Sequence, residues 1–485
     1  MVRLILLSMF LVLPQAQAVD LPEPLADPIP TKIPFGDIVV GVSDLVQLPR
    51  SKDTHARPVR FKVEGFDLEL GTSDAHARIQ YMNPIRDGSG RLVINDLRGI
   101  LYMVDGDGKN LTTYIDLRTA TDDFAAEIFP NEAGLLGFAF HPQFGETGTS
   151  GYGKFYTGYS ATVGSGKAAY LEGPALTHKS VIREWSSEDP SARVFKGESR
   201  EIFRAGQFSP HHNIGTLAFN HGAAPGSADF GMLYVSMGDG GSAYDPMDYG
   251  QSLAEPLGAL MRIDPLGRSP GRGYGIPADN PFVDRAGAAP EIWATGIRHA
   301  QHFSFDGKGR LFINDIGQNH IEEVNLGQAG ANYGWRTVEG TFNTGYGKGV
   351  GVSTGVFPRD PTLDSFVDPI AEYDHDEGMA IGGGFVYEGS LIPALKGKYV
   401  LADIVVGRLF YFETDQLVPG KPAKLKELQV HIGGKVQPLL EVVGYENSYA
   451  RHLLRADLRL GTDDNGELYL LTKGDGRVRK LVAAP

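Results

Sequence analysis

The sequence predicts an all-β protein: a six-bladed β-propeller with long loop inserts on one face. Three observations point there. A two-strand unit recurs six times from about residue 90: glycine, a spacer, an aliphatic–aromatic pair, a few apolar residues, a turn and another strand. The copies are GRLVINDLRGILYMVD (90–105), GKFYTGYSA (153–161), GMLYVSMGDGG (231–241), GRLFINDIGQNHIEEVNL (309–326), GKYVLADIVVGRLFYFE (397–413) and GELYLLTKGDGRVRKLV (466–482). Apolar leader strands such as LLGFAFHP, IGTLAFN and HAQHFSFD accompany them. Glycine is also enriched, at 63 of 485 residues, roughly twice the usual frequency of about 7%, and spread as short strands with tight turns require. Three or four short strands repeated six times close into a ring with few exposed edges. The copies are unevenly spaced, so 160–210 and 337–370 are expected as inserts. Two β-sandwiches in series are the competing architecture.

Taken in order, the chain opens MVRLILLSMFLVLPQAQAVD, with one cation at Arg3, an apolar run and a small-residue site ending at Ala18. That pattern predicts a signal peptide over 1–18, too short to span a membrane, and a periplasmic or secreted protein. Residues 19–60 are proline-rich and aperiodic and read as an N-terminal extension; 61–485 form the propeller. Hydrophobic residues at 42% and charged residues at 21% suit a globular chain with a large core. The net charge of −14 argues against nucleic acid and anionic lipid as partners. With no cysteine, disulfides, thiolate catalysis and Cys-bound zinc are excluded.

The stretch FSPHHNIGTLAF (208–219) sets His211 and His212 at the mouth of a strand. Zinc held by both is disfavoured, since neighbours on an extended chain point to opposite faces, and no His-Glu-x-x-His motif occurs. On residues alone, His212 reads as a hydrogen-bonded strand-end histidine or as a proton acceptor.

Several segments carry a resemblance: NEAGLLGFAFHPQF (131–144), HHNIGTLAF (211–219), GMLYVSMGDGG (231–241), GALMRIDP (258–265), EIWATGIRHAQHFSFD (291–306), DIGQNHIEEVNLGQAGANYGW (315–335) and the GGGFVYEG to GRLF run (382–410). Over roughly 75–482 the chain resembles the glucose/sorbosone dehydrogenase family, whose best-understood members are soluble sugar dehydrogenases using pyrroloquinoline quinone on a six-bladed propeller. The resemblance implies His212 as general base, Asp239 as the carboxylate that holds it, and Arg298 as a cofactor contact. It further implies calcium on the carbonyls of Gly317 and Gln318, ahead of Glu322 and Glu323, with Glu322 near the cofactor. The implied partners are a small sugar or aldehyde and an external electron acceptor.

The sequence departs from the family pattern at the site. His299 replaces an asparagine, His211 an aspartate, and Glu132 aligns with a glutamine, all near the expected cofactor. The lysine expected near 405 is Val405, and two late arginines have no firm counterpart, although Arg451, Arg455 and Arg459 lie close. Fewer cations should weaken binding of a tricarboxylate. The alternative is therefore a non-catalytic propeller binding a protein or glycan; retention of His212 and Asp239 favours the enzyme, loss of the lysine the binding module. A metal-dependent lactone hydrolase lacks an evident carboxylate set.

Overall fold

A computed structural model describes residues 23–52, 59–63, 66–70, 74–125, 132–345, 355–363, 365–443 and 455–485. The signal-peptide expectation and Arg451 lie outside them. The described chain is a propeller-like array of antiparallel sheets. The first contains Ile79–Pro84, Arg91–Asp96, Ile100–Asp105 and Thr112–Asp116. The second contains Leu135–Phe140, Lys154–Thr162, His178–Ser187 and Gly197–Gln207. Ile214–Phe219, Leu233–Met237, Ala259–Ile263 and Ile292–Thr295 make the third; His302–Phe305, Leu311–Asp315, Ile321–Leu326 and Ala371–Asp374 the fourth.

Each of the six sequence copies supplies the second strand of a meander, and four of them the third as well. The leaders are its first strands. These first strands are almost wholly buried rather than alternating, because neighbouring sheets cover both faces. They touch in a closed ring: Ile79–Pro84 meets Leu135–Phe140, then Ile214–Phe219, His302–Phe305, Ile381–Val386, Leu458–Thr462 and Ile79–Pro84 again. Glycine permits the approach. A methyl on Gly137 would lie 2.5 Å from the carbonyl oxygen of Gly215 in the next sheet.

Three expectations are corrected. Hydrogen bonding gives four four-stranded sheets and one of nine, not six separate blades. The nine-stranded sheet runs from Ile381–Val386 through Lys398–Asp403, Leu409–Glu413 and Lys426–Ile432 to Phe35–Gln47, then to Arg477–Ala483, Leu468–Thr472 and Leu458–Thr462. Phe35–Gln47 is the fusing strand, parallel to Lys426–Ile432 and antiparallel to Arg477–Ala483. Residues 35–47 are therefore structural members of the sheet and not an extension. Thirdly, 160–210 is no loop insert. It holds two long strands, His178–Ser187 and Gly197–Gln207, paired along their length; their charged outer positions hid them from a pattern built on apolar pairs.

Candidate active site at one mouth of the ring

In an antiparallel meander, the start of the first strand lies beside the end of the second. Ile214 pairs with Met237, His302 with Asn314 and Leu458 with Thr472. Residues just before first strands and just after second strands therefore gather at one mouth of the ring. Glu132, His212, Arg298, His299 and Asp457 come from the first group; Asp239, Gly317, Gln318 and Lys473 from the second.

His212 has φ 51°, a left-handed conformation uncommon for a residue with a side chain and often found at functional sites. Its Nδ1 lies 2.6 Å from Asp239 Oδ1. A carboxylate only accepts, so Nδ1–H donates, and in the neutral ring Nε2 is then the acceptor. Asp239 is fully buried and also accepts the Gly241 N–H at 2.9 Å and the Trp335 indole N–H at 2.8 Å. The Asp239 amide donates to the Arg298 carbonyl at 2.9 Å, and the Arg298 guanidinium lies 5.5 Å from the Trp335 ring centroid. Arg298 Nε donates to Gln318 Oε1 at 3.2 Å, and Nη1 to the Ile316 carbonyl at 3.0 Å. His212, Asp239, Arg298 and Gln318 thus form one connected group.

Glu132 and His299 join it. Glu132 Oε2 accepts the His212 amide at 3.0 Å, and His211 Nδ1 is 3.5 Å from Oε1. Asn213 donates to the Glu132 carbonyl. The His212 and His299 rings are 4.6 Å apart and inclined by 25°. Burial, then the neighbouring His212, pushes His299 well below the ordinary histidine range, so it is neutral. Burial opposes ionisation of Glu132, yet its carboxyl is held below the usual range, with the hydrogen bond from His211 the largest effect against burial.

The turn after Leu311–Asp315 is tied by Glu339. Its Oε1 accepts the amides of Gln318, Asn319, His320 and Ile321 at 2.9–3.1 Å. That aims the amides at Glu339, and no described residue donates to the Gly317 or Gln318 carbonyl. Two free carbonyl oxygens are the hard donors calcium takes.

Glu322 stands apart. It is fully buried in Ile321–Leu326, where Oε1 meets His375 Nε2 at 2.9 Å and Oε2 accepts the Ile381 amide at 2.8 Å. Oε2 thus joins the fourth sheet to the nine-stranded one, while Oε1 is taken by the residue just after the fourth sheet's last strand. Glu323, its neighbour in the strand, is buried as well.

Asp315 and Glu323 face each other across two strands. Burial raises both carboxyls, reinforced at Glu323 by repulsion from Asp315 and at Asp315 by repulsion from Asp239, while Asp315 accepts the amides of Arg298 at 2.8 Å and His299 at 2.6 Å. The folded pair retains protons that the unfolded chain releases above about pH 4. The folded state then binds more protons, and stability falls as pH rises above that value. Asp315→Asn should flatten this slope in melting curves recorded from acid to mildly alkaline pH; an unchanged slope would remove the pair as its source.

Sequence reasoning named Arg459 but missed the cations buried with it, Arg78 and Lys473. Arg459 donates to Gln301 Oε1 at 3.0 Å, two residues from His299, and its Nε has no partner. Burial holds Arg459 down at about 10. Burial, then Arg459, drives Lys473 well below the ordinary lysine range. A lone lysine directly after the apolar strand LYLLT was the available signal. An orphaned guanidinium N–H among crowded cations is what a site for a polyanionic carboxylate offers. Separately, a cavity of about 370 Å³ lined by Arg86, His221, Glu388 and Asp464 opens at the far ends of the same strands; no site residue lines it.

A family model described as Glucose / Sorbosone dehydrogenase matches residues 80–439. The chain is 29% identical over 368 residues to the HIPL1 protein of Arabidopsis thaliana, covering 67% of this chain and 51% of HIPL1. It therefore spans about half the length of that relative. It is 33% identical over 106 residues to aldose sugar dehydrogenase YliI of Escherichia coli, covering 22% of this chain and 26% of YliI. The PQQ-bound aldose sugar dehydrogenase of Streptomyces coelicolor superposes with a TM-score of 0.55 at 19% identity, over 93% of this chain and 99% of that one, which speaks for the fold. Among the described residues no helix is long and apolar enough to cross a membrane. With three quarters of its length matched, the chain belongs to the glucose/sorbosone dehydrogenase family.

Proposed function

We propose that this chain is an exported dehydrogenase that oxidises a sugar or aldehyde hydroxyl with pyrroloquinoline quinone and calcium. We read its nine-stranded sheet as two blades fused by residues 35–47, completing a six-bladed ring. The observation that carries the functional reading is the His212–Asp239 contact of 2.6 Å. Asp239 fixes the imidazole with Nε2 as acceptor, and His212 then takes the substrate O–H proton as hydride leaves the same carbon. Trp335 and the Gly241 amide keep Asp239 in place, so the imidazolium formed meets a fixed anion. Arg298, Arg459 and Lys473 would hold the quinone carboxylates, and the Gly317 and Gln318 carbonyls the calcium ion. When bound, the quinone supplies the hydride acceptor. Glu132 and His299 line the same mouth. No described contact links Glu322 to it, and we assign Glu322 a structural role.

Oxidation of aldoses coupled to a dye should require both quinone and calcium. A chain that binds neither and shows no turnover belongs to the alternative class, a propeller that binds a protein or glycan; the histidines at 211 and 299 and Val405 are the features that favour that class.

A further inference from the structure

Glu132, His212 and His299 come from the approaches to three different first strands, yet their ligating atoms all lie within 4.8 Å of one another. Two imidazoles and one carboxylate are the donor set of borderline divalent transition ions. We propose that these three side chains form a site for one such ion, zinc or a chemical relative, with at least one position left open to water. The inference goes beyond the dehydrogenase reading and does not need it.

Four features make the cluster more than a coincidence of residue types. Metal bonds of about 2.0–2.2 Å put tetrahedral donors roughly 3.3–3.6 Å apart, so the side chains need to draw in by only about 1 Å. Each histidine can be a ligand in its present state: Nδ1–H of His212 is spent on Asp239, leaving Nε2, and no described residue hydrogen-bonds to the His299 ring. Second, the outer partners are in place. Asp239 backs His212 as carboxylates back metal-bound histidines, and His211 lies against the second oxygen of Glu132. Third, Asn213 and the His212 amide tie Glu132 to the histidine segment, which orders it before any ion arrives. Finally, the cluster gathers three of the positions at which the sequence departs from the pattern its resemblance implies: Glu132 and His299 as ligands, His211 behind them.

An ion on Nε2 takes the lone pair that a base needs. Metal loading and proton abstraction by His212 are therefore mutually exclusive, and the site can act as an off switch.

The test is titration of the metal-free full-length protein with Co²⁺, followed by displacement with Zn²⁺. One equivalent of cobalt should give the strong visible bands of a low-coordinate ion. His299→Asn and Glu132→Gln should abolish them, and Asp239→Asn should weaken affinity about 10- to 100-fold. Circular dichroism establishes that each variant is folded. Should a variant fail to fold, X-ray absorption of the zinc-loaded wild-type chain decides: imidazole nitrogens near 2.0–2.1 Å support the site. An all-oxygen shell would place the ion elsewhere, for example at the exposed Asp27 and Asp376 with the buried Asp374, and overturn the proposal. So would no stoichiometric binding, or equal binding in the variants. None of these readouts involves the quinone, so failure here leaves the dehydrogenase reading untouched.

Discussion

Replacing His212 with alanine is expected to lower quinone-dependent sugar oxidation by about 10²- to 10⁴-fold, the usual worth of a positioned base. The size follows from the setting. Asp239 and the imidazole are 2.6 Å apart, and Asp239 is itself fixed by Trp335 and Gly241. The base is thus oriented before substrate arrives, and its removal forfeits that orientation with the proton acceptor. Quinone affinity should change little, because the carboxylate-binding cations lie on other segments. Arg298→Ala should do the reverse, weakening quinone binding more than turnover at saturation. Paired measurements of binding and saturated rate separate the two. A His212→Ala enzyme with wild-type turnover would remove this residue from the chemistry.

Arg459→Met is expected to weaken quinone binding by about 10- to 100-fold, the loss of a charge-assisted hydrogen bond worth roughly 1.5–3 kcal/mol. The ligand-free protein should not suffer in parallel. Arg459 is buried beside Lys473 and Arg455, with an unpartnered Nε, so a cation in this position is held at a cost. Methionine keeps most of the stem volume and removes the charge. The melting temperature of the ligand-free chain should therefore hold steady or rise while affinity falls, the trade-off of a site built for binding rather than for stability. If melting temperature and affinity fall together, Arg459 is a structural residue and the anion site is misassigned.

What could be read beforehand follows from how far apart the interacting residues are in the chain. The first strands were legible because burial on both faces writes an unbroken apolar run, as in LLGFAF and IGTLAF. The His212–Asp239 pair was legible because both belong to one meander, 27 residues apart, in segments that match the family. The strand Phe35–Gln47 was not, since its partners lie nearly 400 residues or more away and its own sequence follows a proline-rich stretch. Lys473 was not legible because the expected lysine belongs to one place in the sequence, near Val405, whereas the ring brings a different strand end to the same mouth. His211 and His212 do meet different atoms, on Glu132 and Asp239, but the chain there is bent, with His212 at φ 51°, and not extended as expected. His299 was not legible, because its ring is brought to His212 only by the closure of neighbouring sheets. Glu322 was expected near the cofactor because it follows the Gly317–Gln318 turn in sequence, whereas its carboxylate is taken up by His375 and Ile381.

The central claim is that this mouth of the ring holds a quinone beside calcium. It is tested most directly by titrating the purified, metal-free full-length protein with pyrroloquinoline quinone, with and without calcium, and following absorbance. Saturable, stoichiometric binding at micromolar concentration is expected, requiring calcium and weakened in Arg298→Ala and Arg459→Met. Absence of binding at that concentration with calcium present, or binding that ignores both substitutions, would contradict it.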